Sequence, residues 1–372
     1  MAGIYLHIPF CKSRCIYCGF FSTTSLLKRH DYVDAVLEEL RLRRSFLADH
    51  PIDTIYFGGG TPSQLPPEEL GRILDAIRYI YNVREGAEVT LEGNPDDLTL
   101  SFLQRLRQMG VNRLSMGVQS FDDTRLRFLH RRHTAAQAIQ AVRDAQTSGF
   151  TNISIDLMFG FPDQTLGQWK QDIQMALSLQ VQHLSAYSLM YEDDTLLERM
   201  LAAGEIEEVD EKVSLQMYEY LMGTLETAGY EHYELSNFSL PGMQSRHNSS
   251  YWHGIPYLGV GAGAHSYDGH DRFHHPDSLD LYMTDVLSLE VEHLNDHERY
   301  DECVFTALRT SEGLSLATLE EQFGLAAKEY CLQNAQRHLK AGLLSLTGDT
   351  LRLTRRGLFI SNEVMSDLMW DE

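Results

Sequence analysis

The sequence predicts an α/β fold: a partial (β/α)6 barrel followed by a small C-terminal winged-helix-like domain. Three observations predict it. Short strand-like runs alternate six times with amphipathic helical stretches, the pattern of parallel strands joined by crossover helices. The unusual polar and glycine residues fall at or just after the strands' C-terminal ends, where barrels of this kind collect functional groups. Beyond His293 the alternation gives way to helices and one hairpin.

The predicted strands are Ile4–His7, Thr54–Phe57, Glu88–Glu92, Arg113–Met116, Ile153–Met158 and His183–Ser188. The predicted helices are Tyr32–Leu47, Glu68–Tyr81, Leu100–Met109, Ala135–Ser148, Gly167–Leu179 and Glu211–Ala228. These units make a core over residues 1–236. Residues 237–292 form an irregular connecting segment rich in His, Gly, Tyr and Ser, and long ordered connections are usually functional. Residues 293–372 form the C-terminal domain. There Leu343-Leu344-Ser345-Leu346, a Gly348-Asp349 turn and Leu351-Arg352-Leu353 read as a β-hairpin after helical runs. Acidic residues outnumber basic ones in this domain, so it is expected to pack or to meet a protein partner rather than DNA.

The net charge of -22 repels phosphate backbones and anionic lipid, which argues against nucleic acid or a membrane surface as the main partner. The short run Arg125, Arg127, Arg131 and Arg132 reads as a solvated helix face. No stretch has the apolar length of a membrane span, and no leader-like segment precedes Ile4-Tyr5-Leu6, so a cytoplasmic location is expected.

Three of the five cysteines fall within eight residues: Cys11, Cys15 and Cys18. That uneven distribution suits thiolate ligation in a reducing compartment rather than a disulfide framework. Cys303 and Cys331 stand alone, and the apolar helical surroundings of Cys303 suggest small buried hydrophobes. The spacing C-x3-C-x2-C can hold three corners of a [4Fe–4S] cubane and leave the fourth iron open. S-adenosylmethionine (SAM) can chelate such an iron through its amino and carboxylate groups, and the cluster's electron can then split the sulfonium to a 5′-deoxyadenosyl radical. A zinc knuckle on the same cysteines plus His7 is the competing reading.

With Tyr5-Leu6-His7-Ile8-Pro9-Phe10-Cys11 and Phe57-Gly58-Gly59-Gly60-Thr61-Pro62, the chain resembles the radical SAM superfamily. Within it, it is similar to the oxygen-independent coproporphyrinogen III oxidases and their haem-chaperone relatives. The resemblance implies metal ligation by Cys11, Cys15 and Cys18. It implies SAM contacts from Gly59, Gly60, Thr61, Glu92, Gln119, Arg131 and Asp156; Tyr5 and Tyr17 also match and Ser188 matches weakly, with core packing the competing role for these three. In this resemblance the glycines let backbone approach SAM closely, the carboxylates accept from ribose hydroxyls or the ammonium, and Arg131 meets a carboxylate.

Two departures separate the branches. The oxidases carry another cysteine two residues after the third, where this chain has Phe20. They also carry an N-terminal extension before the cluster, which this sequence is expected to lack. His247-Asn248-Ser249-Ser250-Tyr251-Trp252 is similar to the H-N-x-x-Y-W signature of the chaperone branch, the HemW type. The resemblance therefore implies a chaperone that binds haem and hands it to acceptor proteins, membrane-associated respiratory enzymes among them. Oxidase activity is not expected; SAM cleavage stays open.

His247 is the expected haem ligand, in a loop near the open end of the barrel, although residue chemistry alone suits a hydrogen-bonded loop histidine as well. His265, in the same glycine-rich stretch, is next in line. Two other readings remain: radical decarboxylation of coproporphyrinogen propionates, and a SAM-bound switch that recruits a partner through the C-terminal module.

Overall fold

A computed structural model describes residues 1–48 and 50–370. Six strands lie parallel and in sequence order: β1 (Ala2–Ile8), β2 (Ile52–Gly59), β3 (Val83–Gly93), β4 (Arg113–Gln119), β5 (Ile153–Phe159) and β6 (His183–Ser188). Each contains the run expected from sequence. The crossover helices also match: Arg29–Leu42, Pro67–Ile80, Leu100–Gln108, Ala135–Thr147, Leu166–Ser178 and Glu211–Thr227. Only the first departs by more than about a turn, because it stops at Leu42, before the apolar Phe46 and Leu47 that had extended the pattern.

The reason for the match is local. Ile4, Leu6 and Ile8 point outward from the sheet to the helices and are fully buried, as are Ile55 and Phe57 on the next strand. The alternate residues Tyr5, His7, Thr54 and Tyr56 face the barrel interior. A parallel sheet covered by helices puts apolar side chains on its helix face; here the inner face is polar.

The sheet does not close into a ring. On one side β6 is followed by antiparallel β8 (Asn237–Ser239) and β7 (Glu231–Glu234). On the other, β9 (Tyr257–Val260) pairs parallel to β1, and β10 (His265–Tyr267), β11 (Asp271–His274) and β12 (Glu290–His293) continue antiparallel. Residues 237–292, which read as irregular, thus supply five members of the twelve-stranded sheet with β12's last residue included. Strands of three or four residues are too short to display period-two alternation, and their partners lie far away in sequence, as in Gly3↔Tyr257.

The C-terminal domain has helix Asp296–Leu308, strand β13 (Leu314–Ser315), a helical stretch Leu316–Ala341 broken at Gly324, and the hairpin β14 (Leu344–Thr347) and β15 (Thr350–Leu353). Helix, strand, two helices and hairpin is the order of a winged helix. Tyr300, Val304, Leu319, Cys331, Leu344, Leu351 and Leu368 form a core of its own. Burial pushes the Cys303 and Cys331 thiols up to about 11, in keeping with inert packing. The domain docks on the barrel's edge through Arg309–Glu234 at 2.8 Å and the Ser311 amide to the Tyr233 carbonyl at 3.0 Å.

Candidate functional site

The cysteine loop leaves β1 and is pinned at both ends. Cys11 N–H donates to the Thr23 carbonyl (2.9 Å), and Thr23 N–H returns to Pro9 (2.7 Å). Lys12 ties the loop to Asp97 in the turn after β3 at 2.7 Å, and Arg132 braces that same turn through Asp96 at 2.7 Å. All three thiols are free, and all three line one cavity of about 630 Å³.

Eleven of the sequence-predicted residues meet at that cavity: Cys11, Cys15, Tyr17, Cys18, Gly59, Gly60, Thr61, Glu92, Gln119, Arg131 and Asp156; Ser188 joins them. Burial pushes the Cys11 thiol up, against the opposing hydrogen bond from Thr61, whose Oγ1 lies 3.3 Å from Sγ. Burial also raises Cys18. Thiolates there need positive charge beside them, and Arg131 Nη1 supplies some by donating to Cys15 Sγ at 3.4 Å. Its other terminal nitrogen donates to Asn94 Oδ1 (2.6 Å) and to the Gly117 carbonyl, while Nε is buried with no acceptor among the described residues.

Glu92 accepts from the Tyr56 hydroxyl at 2.6 Å, and Asp156 from Ser115 at 3.4 Å. Burial lifts Glu92 to about 7 and Asp156 to about 6. Two carboxyls held this way are poised to accept from a donor or to meet a cation. Gln119 reaches the cavity because β4 bulges between Gly117 and Gln119, leaving Gln119 at φ 68°.

Gly59 and Gly60, on the wall of this cavity, also make room for their neighbours. Gly59 sits at φ 103°, and a Cβ there would meet the His7 ring at 2.8 Å; one at Gly60 would meet the Pro9 backbone at 2.8 Å. The missing side chains make room for the neighbouring strand and cysteine lead-in, so their first effect is to shape the cavity wall.

His7 is not turned toward the thiols. Its Nε2 faces the Phe21 carbonyl (3.0 Å) and its Nδ1 the Tyr5 hydroxyl (3.3 Å), so both ring nitrogens are engaged. A zinc knuckle through His7 therefore has no support. A cluster fits better: three free thiols, one already facing a guanidinium, beside a cavity with an unfilled Arg131 donor.

Tyr5 and His247 are placed elsewhere. They line a smaller interior cavity of about 190 Å³ beneath the main one, which shares Glu92, Ser115, Asp156 and Tyr187 with it. Arg246–Trp252 is a helix, not a loop, capped by the Ser245 hydroxyl, and it plugs the foot of the barrel rather than its open end. His247 is fully buried; its Nδ1 pairs with Thr54 Oγ1 and its Nε2 with Tyr251 OH, both at 2.8 Å. Burial, aided by Arg113, lowers it to about 3. A neutral imidazole with both nitrogens engaged has nothing to offer haem iron, so the placement expected for His247 is corrected. Sequence reasoning passed over Asn94, Arg113 and Ser115. The last two were legible, since alternation along β4 puts Arg113 and Ser115 on one face with Gly117.

The radical SAM superfamily profile matches residues 5–176, and the HemN C-terminal domain profile matches residues 294–360. The heme chaperone HemW of Bacillus subtilis is 34% identical over 371 residues, covering 98% of each chain. The chain belongs to the HemW family of radical SAM proteins. The heme chaperone HemW of Mycobacterium tuberculosis is 35% identical over 99% of this chain and 94% of its own. A bovine mitochondrial radical S-adenosyl methionine domain-containing protein 1 is 32% identical over 99% and 87%. The HemW-family fold also matches the solved structure of coproporphyrinogen III oxidase (HemN) from Escherichia coli, with a TM-score of 0.86 over 99% of this chain and 90% of that one; at 23% identity the likeness speaks for the fold. No helix among the described residues is long and apolar enough to cross a membrane.

Proposed function

We propose that the main cavity holds a [4Fe–4S] cluster on Cys11, Cys15 and Cys18 with SAM beside it, and that the protein is a cytoplasmic haem chaperone that passes haem to acceptor proteins. The observation that carries the cofactor reading is the convergence of three free thiols with Glu92, Gln119, Arg131 and Asp156 on one cavity. The bound cluster would supply the open iron and the electron that a sulfonium accepts. The chain's own residues prepare that place. Arg131 offsets thiolate charge at Cys15, Thr61 hydrogen-bonds the Cys11 sulfur, and Glu92 and Asp156 offer acceptors to a ribose or an ammonium.

The chaperone reading rests on the full-length likeness to heme chaperones and on Phe20, which stands 69% exposed on the cavity rim where the oxidases place a further cysteine. Haem ligation is assigned to an exposed imidazole in place of His247. His265 is exposed at the start of β10, and its ring stacks on His274 with centroids 5.2 Å apart. It lies at the cluster end of the sheet, because the adjoining turn packs Gly261 against His7 and Gly263 against Phe21. The test is haem titration of anaerobically reconstituted protein. His265→Ala should weaken haem binding and shift the Soret band; unchanged spectra and affinity would remove it. Given SAM, reductant and coproporphyrinogen III, the protein should form no protoporphyrinogen, and multiple turnovers would replace the chaperone reading with the oxidase one.

A further inference from the structure

Arg113 opens β4 and is 1% exposed, yet its Nε and Nη1 have no hydrogen-bond partner among the described residues. A guanidinium does not shed its proton, and burying it unpaired is costly, so what it faces must compensate the charge. It faces the interior cavity of about 190 Å³. The ladder pairs Thr90 with Arg113, Glu92 with Ser115 and Asp156 with Gly117, which sets Arg113 one inward layer below Glu92, on the order of 6–7 Å along the strand, and two layers below Asp156, with all three lining the one interior cavity.

The geometry points to Arg113 as a positioning residue for SAM: across the interior cavity it holds Glu92 and Asp156 as anions facing the ligand above. This rests on the SAM reading proposed for the main cavity. Among the described groups facing the two carboxylates, Arg113 and Arg131 are the cations; Arg113 acts on both carboxylates, and on Asp156 it outweighs Arg131. Tyr5 from β1, Tyr56 from β2, and Tyr187 from β6 are neutral near pH 7, because burial raises all three hydroxyls. From the helix at the foot, His247 is neutral by burial, and Tyr251 is raised by burial as well. Arg131, above, is committed to Cys15, Asn94 and the Gly117 carbonyl. The Tyr56 and Ser115 hydroxyls orient the carboxylates; Arg113 supplies charge from the interior cavity, which the thiols do not line.

The test is SAM affinity of cluster-loaded protein from pH 6 to 9, for wild type, Arg113→Met and Arg113→Lys, with iron content and the visible cluster spectrum measured on each sample. The Met variant should bind SAM about fivefold more weakly than wild type at pH 7 and close to tenfold at pH 6, the factors that follow from raising a carboxyl that sits at about 7 by one unit, and the ratio should close toward one by pH 9. The Lys variant should stay within about threefold of wild type throughout. A Met-to-wild-type ratio that is flat with pH overturns the proposal, as does a Lys variant that follows Met. If Arg113→Met does not fold, Arg113→Gln is read on the same axis. Wild type that carries its cluster but binds no SAM at any pH overturns the SAM reading instead.

Discussion

The two ends of this barrel carry equally prominent sequence motifs and treat their side chains in opposite ways. At the foot, the H-N-x-x-Y-W helix closes the barrel with its histidine fully matched: His247 pairs with Thr54 and Tyr251, and its backbone amide and that of Arg246 donate to Glu88 at 3.0 and 3.1 Å, while Trp252 Nε1 is buried without an acceptor among the described residues. At the mouth, thiols, carboxyls and Arg131 are left with capacity unfilled. The same contrast separates the buried carboxylates. Glu39 is fully buried; burial alone would raise it, but bonds from His275 and Arg43 at 2.7 and 2.8 Å outweigh that and hold it below its ordinary range. Glu92 has fewer partners and rises to about 7. Saturated burial marks structure, and unsaturated burial marks the place that waits for a ligand.

The largest expected effect lies at the mouth. Cys15→Ala should abolish the [4Fe–4S] absorption of anaerobically reconstituted protein, while Cys331→Ala keeps it. A cluster surviving in the Cys15 variant would break the comparison, since the mouth would then hold no cofactor on these thiols.

At the foot the loss should be in stability. His247→Ala removes two buried hydrogen bonds and leaves a cavity, a cost of roughly 2–4 kcal/mol by chemical denaturation. Its haem titration should match wild type. Unchanged stability with a shifted Soret band would reverse the roles given to the two ends.

Gly59→Val tests the wall between them. The left-handed backbone and the His7 contact should cost about 1–3 kcal/mol and lower iron incorporation along with SAM binding. Full stability with only SAM affinity lost would return this glycine to direct ligand contact.

The carboxylates sharpen the comparison through pH. Glu92 is raised when folded, so its contribution is fully present below pH 4.5 and is lost as pH climbs toward about 7. Glu92→Gln should therefore stabilise cofactor-free protein at pH 8 and change it little at pH 4.5. Glu39 is depressed, so its contribution is present above pH 4.5 and is lost as pH falls through its folded value. Glu39→Gln should destabilise at pH 8, and the deficit should shrink in acid. Denaturation curves at the two pH values check both; the same sign for both variants at pH 8 would dissolve the distinction. The smallest effect is Asp156→Ala, where one lost hydrogen bond of about 1 kcal/mol weakens SAM binding about fivefold, read by calorimetry.

Much of this protein was legible along the chain. The six parallel strands and their helices follow from apolar periodicity, which is a local property, and the cysteine loop follows from spacing alone. The residues at the strand ends were legible once the barrel was, because a parallel (β/α) sheet brings the C-terminal ends of all its strands to one side. The rest was decided by contacts between distant residues. His247 looked like a ligand because sequence displays an imidazole but not its partners, and Thr54 lies 193 positions away. Whether β9 to β12 exist depends on ladder partners supplied by β1 and by one another. Arg113 declared its strand face through alternation, yet that its guanidinium would be buried beneath two carboxylates, with Nε and Nη1 unpartnered among the described residues, became visible only when β3, β4 and β5 were set side by side. Local pattern determines which elements form; burial and partner supply, which are properties of the assembled barrel, determine which polar groups are spent on structure and which remain for chemistry.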